Sequence, residues 1–382
     1  MDMTRRSALE RLAAGALASA CAAALPMHAG AAEAATESLR ELARRKGLRV
    51  GNAMGNGAFR DPAYRALMAR ECNAFVCENA TKWKQLQPRA GQFDFAAADE
   101  MLAWAKAQEM RLRGHTLVWQ GEKWLPAWVN EHDFGAQPGK EAERLLREHI
   151  GTVCDHFGAQ IASYDVVNEA IEPKTGALRQ NVLTTHLGAL EQIDLAFRLA
   201  RAHAPGAQLV YNDYMGAGDG SAKHRAGVLA LLQALKARGT PVQALGIQSH
   251  ITAPARRGVE GMGEWRRFLD EVSGMGLDLL ITELDVNDRQ LAGEVALRDA
   301  GVAAATRDYL DMMLSYPNLH DVMLWGMADH VSWLKDLKEH PRTDGLLMRP
   351  CPFDAQLQAK PMRAAIADAF KAMPARAGAQ TS

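Results

Sequence analysis

Two glutamates stand out by their surroundings. Glu169 closes the run Tyr164-Asp165-Val166-Val167-Asn168-Glu169, and Glu283 lies in Ile281-Thr282-Glu283-Leu284-Asp285. A lone glutamate at a strand end is more often a salt-bridged structural residue. Two of them facing each other suit the cleavage of a glycosidic bond. One protonates the leaving oxygen, and the other attacks or stabilises an oxocarbenium-like carbon. Similar runs end in Glu78-Asn79, His115, Asn212-Asp213 and Gln248 to His250. Sugar hydroxyls both donate and accept, so a mixed set of carboxylates, amides and a fixed cation suits them. A histidine at a strand end is otherwise often a metal ligand. No Cys or His spacing here is that of a metal site, so neither a metal nor a cofactor is expected.

Chemistry of this kind needs elements that aim side chains at one place. Short β-branched or apolar runs occur at 48–54, 73–79, 111–119, 163–169, 208–214, 244–250, 278–286 and 321–327. Longer helical patterns lie between them. Phe95, Ala98, Met101, Leu102 and Ala105 share one helical face, as do Val228, Leu231, Leu232 and Leu235. Strict β-α alternation implies a parallel sheet. Eight units imply a closed (β/α)8 TIM barrel with its active site at the C-terminal ends of the strands. The alternative is an open doubly wound sheet, which normally carries a Gly-rich phosphate loop after its first strand. Gly51, Gly55 and Gly57 lack that spacing, and Phe59-Arg60-Asp61-Pro62 is not expected to open a helix there. A nucleotide site is therefore discounted. Trp104 and Trp265 read as core.

The 382 residues carry 44 Lys+Arg against 45 Asp+Glu, a net charge of −1. Such a chain has no general field to attract nucleic acid or an anionic membrane. No apolar stretch is long enough to span a bilayer. Residues 1–31 read as an export signal. Arg5-Arg6 precedes an apolar run from Leu12 to Leu25, and Ala29-Gly30-Ala31 offers a cleavage site. The paired arginines point to the twin-arginine route, and hence to a periplasmic or secreted protein. Cys21 is a weaker candidate for lipid attachment, because Ala18 stands where Leu is usual. Residues 32–382 form one catalytic domain, with a tail expected to fray from Pro374. Export permits disulfides. Pairing among Cys72, Cys77, Cys154 and Cys351 stays open beside buried free thiols.

Seven stretches in order carry a resemblance. They are Cys77-Glu78-Asn79-Ala80-Thr81-Lys82-Trp83, Arg113-Gly114-His115-Thr116-Leu117-Val118-Trp119, Asp165 to Ala170, Tyr211-Asn212-Asp213-Tyr214, Gly246 to His250, Ile281 to Asp285, and Ser332-Trp333. From about Gly51 to Ile366 the chain resembles the endo-beta-1,4-xylanases of glycoside hydrolase family ten. The resemblance implies that Glu169 is the acid/base and Glu283 the nucleophile, with His250 donating to Glu283. It implies that Asn168 binds the sugar 2-hydroxyl and that Gln248 holds the sugar or the acid/base. Glu78, Asn79 and Lys82 would bind the non-leaving side, with His115 and Trp119 beside them and Trp325 and Trp333 as a roof. The implied partner is xylan or a xylo-oligosaccharide, bound by a monomer.

The chain also departs from that pattern. Gln120 replaces the usual His, and Gly121 to Leu125 carries extra residues before Pro126-Ala127-Trp128. Gln192 replaces a Tyr that supports leaving-group stacking, which puts that side in doubt. Met215 follows Asn212-Asp213-Tyr214 where Asn is common, and Met348 to Pro352 interrupts the run into Phe353-Asp354. Two other readings compete: a same-fold hydrolase of another beta-linked glycan, and a non-catalytic carbohydrate-binding barrel. Barrels of the second kind typically lose one carboxylate, and both remain here.

Overall fold

The computed structural model describes residues 37–254, 262–336 and 342–376. The export segment with Arg5, Arg6 and Cys21 lies outside them. The strands are β1 (Arg49–Met54), β2 (Ala74–Cys77), β3 (Arg111–Trp119), β4 (Ile161–Asn168), β5 (Gln208–Asp213), β6 (Ala244–Ile247), β7 (His250–Thr252), β8 (Asp278–Asn287) and β9 (Leu319–Leu324). All pair in parallel. β1 to β6 are neighbours in order, β6 pairs β8, β8 pairs β9, and β9 returns to β1 with Val50 opposite Val322. That closes an eight-stranded barrel, a TIM barrel. The short β7 pairs only β8, beyond the end of β6. The expected eight runs are all strands, with ends shifted by a few residues. Among the described residues, no helix is long and apolar enough to cross a membrane.

Helices cover the barrel with their apolar stripes. In Pro138–Phe157, Leu145, Leu146, Ile150, Val153 and Phe157 are buried, while Arg144 and Arg147 face water. Each such aliphatic or aromatic side chain contributes roughly 1.5–3 kcal/mol on full burial. The barrel interior also holds charge. Arg49 forks onto Asp321 with two 2.6 Å bonds, and Arg113 donates to Asp165 at 2.5 Å. Trp265 is buried in the core, and the half-buried Trp104 packs against that core, edge-on to Phe59 and Phe75.

Three expectations need comment. Asp61-Pro62 does open a helix, Pro62–Glu71: the Asp61 carboxylate caps the Ala63 amide and Pro62 takes the first turn. An Asp cap followed by Pro in the first turn is a favoured helix N-terminus, whatever the spacing of the glycines before it. Of the tail expected to fray, residues 374–376 are held in place, and residues 377–382 lie outside the described ones. Arg376 is buried and donates to the carbonyls of Leu314, Tyr316 and Leu319. Finally, Cys72, Cys77, Cys154 and Cys351 are all buried free thiols.

Candidate active site

Glu169 follows the last residue of β4 at φ 58°, a left-handed conformation that costs a side-chain-bearing residue on the order of 1–3 kcal/mol. Two bonds hold the backbone there. The Glu169 amide donates to Asn212 O at 2.9 Å, and the Ala170 amide donates to Tyr211 Oη at 3.1 Å. Tyr211 in turn donates to the buried Asp213 carboxylate, whose other oxygen lies 2.9 Å from His224 Nε2. Gln248 Nε2 donates to Glu169 Oε1 at 3.0 Å. Burial pushes the Glu169 carboxyl above its usual range, the Gln248 bond opposes this, and the anions Asp213 and Glu283 add to the rise.

Glu283 sits in the middle of β8 and is more deeply buried. Asn212 Nδ2 donates to one carboxylate oxygen at 2.8 Å, and His250 Nε2 lies 3.3 Å from the other. Burial presses this carboxyl upward too. The His250 bond, the nearness of His115 and the Asn212 bond outweigh it, so Glu283 is held below the carboxylate range. His250 owes its position to a break in the chain. Ser249, at φ 64°, lies between β6 and β7 and turns Gln248 and His250 toward the cleft. Burial lowers the His250 pKa, but Asp285 and Glu283 raise it to about 10, so the ring is a cation at neutral pH. Its Nδ1 lies 3.0 Å from Asp285 Oδ1, and Asp285 Oδ2 accepts from Trp333 Nε1 at 2.7 Å.

An amide cluster joins the two carboxyls. The Asn168 amide lies 2.9 Å from Asn212 Nδ2 and 3.3 Å from Gln248 Nε2. Asn212 therefore reaches Glu283 and Asn168 with one nitrogen, while its oxygen accepts from Thr282 Oγ1 at 2.7 Å. Gly246 makes room for this. A Cβ there would lie 2.3 Å from Asn212 Oδ1.

The remaining predicted residues line the same mouth. His115 is fixed through Nδ1, 3.0 Å from Asp165, and packs edge-on to Trp325. Lys82 Nζ donates to Asn79 at 2.9 Å and lies 4.7 Å above the Trp119 ring. Burial lowers the Lys82 pKa, opposed by Glu283, Glu78 and Glu169 around it. Glu78 does not pair with Lys82 along a helical turn. It lies over Gly55, where a Cβ would approach its carboxylate to 2.7 Å. Glu78, Trp325 and Trp333 line one hollow with Gly55 and Tyr64. Trp325 is nearly buried, whereas Trp333 is 37 % exposed and packs edge-on to His250. The structure thus brings all twelve predicted residues to one end of the barrel. Among the described residues, no group of three or more His, Cys, Asp or Glu is arranged to hold a metal.

Gln192 is fully buried and accepts from Gln120 Nε2 at 2.5 Å, so it offers no face for a leaving-group sugar to stack on. The two departures at 120 and 192 are one buried pair. Asn212, Asp285 and the Tyr211-Asp213-His224 chain were not among the predicted site residues. Asn212 stands at a polar strand end, and the glycine inside the strand at Gly246 was a further signal for it, since it marks a close approach.

Paired carboxyls of opposite tendency at the C-terminal mouth of a (β/α)8 barrel define a glycoside hydrolase. The chain belongs to glycosyl hydrolase family 10, whose pattern matches residues 38–369. It is 31% identical over 304 residues to endo-1,4-beta-xylanase B of Paenibacillus barcinonensis, covering 77% of this chain and 87% of that one. It is 33% identical over 320 residues to exoglucanase XynX of Acetivibrio thermocellus, covering 81% of this chain but 27% of that protein's length. Its fold matches xylanase 10B of Thermotoga petrophila RKU-1 in complex with xylobiose. The TM-score is 0.78 and the identity 29%, over 87% of this chain and 97% of that one.

Proposed function

We propose that this chain is a retaining endo-beta-1,4-xylanase. One observation carries the reading: the Asn168-Asn212-Gln248 cluster joins a carboxyl whose pKa is pushed up to one whose pKa is pushed down. Glu283 attacks the anomeric carbon as Glu169 gives its proton to the leaving oxygen, and a glycosyl-enzyme forms. Glu169, now a carboxylate, takes a proton from water, which attacks the same carbon and frees Glu283. The cationic His250 stabilises Glu283 as the leaving carboxylate of that second step. Asn168 binds the sugar 2-hydroxyl, where a hydrogen bond strengthens in the transition state. Glu78, Asn79, Lys82, His115 and Trp119 hold the non-leaving sugars, and Trp325 and Trp333 pack on their C–H faces.

Reducing-sugar release from xylan and from cellulose, with NMR of the first-formed anomer, tests this. Xylan is expected to yield short oligosaccharides of β configuration. An α product would exclude retention, and preferential cleavage of cellulose would favour the second reading, a glucan hydrolase. That second reading draws on the exoglucanase name of one relative. Export through residues 1–31 is part of the proposal. Replacing Arg5 and Arg6 with Lys should leave the enzyme in the cytoplasm, and normal export of that variant would refute the route.

A further inference from the structure

The extra residues after β3 build something specific. Glu122–Trp124 form one 3-10 turn after Gly121. A Cβ at Gly121 would lie 2.9 Å from the Trp124 ring, so the glycine lets that indole fold back. Trp124 then lies flat on Trp119, with centroids 3.9 Å apart and planes at 10°. One face of Trp119 is thus covered, and Lys82 Nζ sits over the other at 4.7 Å. By the same logic the free face of Trp124 carries Lys123 Nζ at 4.7 Å and Lys84 Nζ at 5.5 Å. A ladder of cation, indole, indole and two cations runs from the reaction centre outward. It ends beside an open groove lined by Lys84, Pro88, Lys123, Leu125, Pro126 and Asn130.

The two outer lysines are exposed, and neither has a hydrogen bond or a carboxylate partner among the described residues. Glu122, next in the chain and also exposed, is the local opposing charge. Indole faces hold ammonium groups in place through the ring quadrupole, which lowers the cost of fixing them for a ligand. Two positioned cations against the single exposed carboxylate of Glu122, at the rim of a sugar cleft, fit a further carboxylate. The backbone of a xylan carries none, so an acidic group can only arrive on a branch.

We propose that Trp124, Lys123 and Lys84 form an outer subsite for a uronic-acid branch of the glycan. The proposal rests on the xylanase reading and on Lys82 and Trp119 marking the non-leaving side. The test uses three sets of xylo-oligosaccharides: undecorated, bearing one uronic acid at each position in turn, and the methyl esters of those acids. The ester keeps the bulk of the branch and removes its charge. For at least one branch position the wild type should give a higher kcat/KM on the acid than on the ester, and added salt should shrink that ratio. Replacing both lysines with alanine should cut the acid-over-ester ratio about 3- to 10-fold, the scale of two exposed ion pairs. Lys123→Glu should lower it further. An acid-over-ester ratio of one in the wild type at every position overturns the subsite. So does a ratio the double variant leaves unchanged. If the wild type fails to cleave even the undecorated set, the xylanase reading itself has failed.

Discussion

Glu169, just past the end of β4, and Glu283, in the middle of β8, are the same side chain in one barrel, and their surroundings push them in opposite directions. Burial raises both. Glu283 is the more deeply buried of the two, yet it is the one held ionised. The difference lies in what faces each carboxylate. Glu283 meets an amide donor and a histidine cation, while Glu169 meets only neutral donors, the Gln248 amide and the Trp119 indole, and two other anions. Burial sets how strongly the partners act, and the partners set the sign. The acid limb of kcat/KM therefore follows Glu283 and lies below the carboxylate range. The alkaline limb follows Glu169, whose proton is lost as pH rises through its raised pKa.

Glu283→Ala should break the pair most severely. Without a nucleophile no glycosyl-enzyme forms, and kcat should fall on the order of 10⁵- to 10⁶-fold, as when a nucleophile is removed elsewhere. A loss of less than about 10²-fold on every substrate would take the nucleophile's role from Glu283. Glu169→Ala should cost less, about 10²–10⁴-fold on natural linkages. The loss should shrink for aryl xylosides with acidic phenols, which need little protonation to leave. Azide should then restore turnover and give a β-glycosyl azide. An α-azide would exchange the two roles.

Smaller changes sharpen the comparison. Lys82 stands among Glu78, Glu169 and Glu283. Lys82→Ala should weaken transition-state binding by roughly 1.5–3 kcal/mol, the worth of a hydrogen bond to a charged group. An unchanged kcat/KM on xylo-oligosaccharides would remove it from the site. The mildest test is Asp213→Asn, which deletes an anion on the Glu169 side alone. The Glu169 proton should then come off more easily, so the alkaline limb should move to lower pH while the acid limb stays. A shift of the acid limb instead would mean that Asp213 acts on Glu283.

Much of this was legible in the sequence because strand ends and polar residues coincide. The two glutamates, His115 and the Gln248–His250 pair each close or follow a hydrophobic run, so the period of the pattern placed them. Asn212 was harder. Its contacts reach Asn168 on β4 and Thr282 and Glu283 on β8, and only closure of the barrel brings those strands around it. The partner of Gln192 was not legible, because a helix residue's direction depends on how the helix is rotated on the barrel. Its side chain faces inward to Gln120. Arg376 was hidden for a related reason. Its partners are backbone carbonyls some sixty residues away, and no side-chain pattern announces them.

The four buried thiols have a consequence for how the molecule is made and kept. Burial pushes the Cys77 thiol up to about 12, and it raises those of Cys72, Cys154 and Cys351 as well. Thiolate is the reactive form, so in the folded chain these groups are closed to oxidants and alkylating reagents alike. Among the described residues, no covalent cross-link holds the barrel shut. Among those residues a reducing compartment has no disulfide to break.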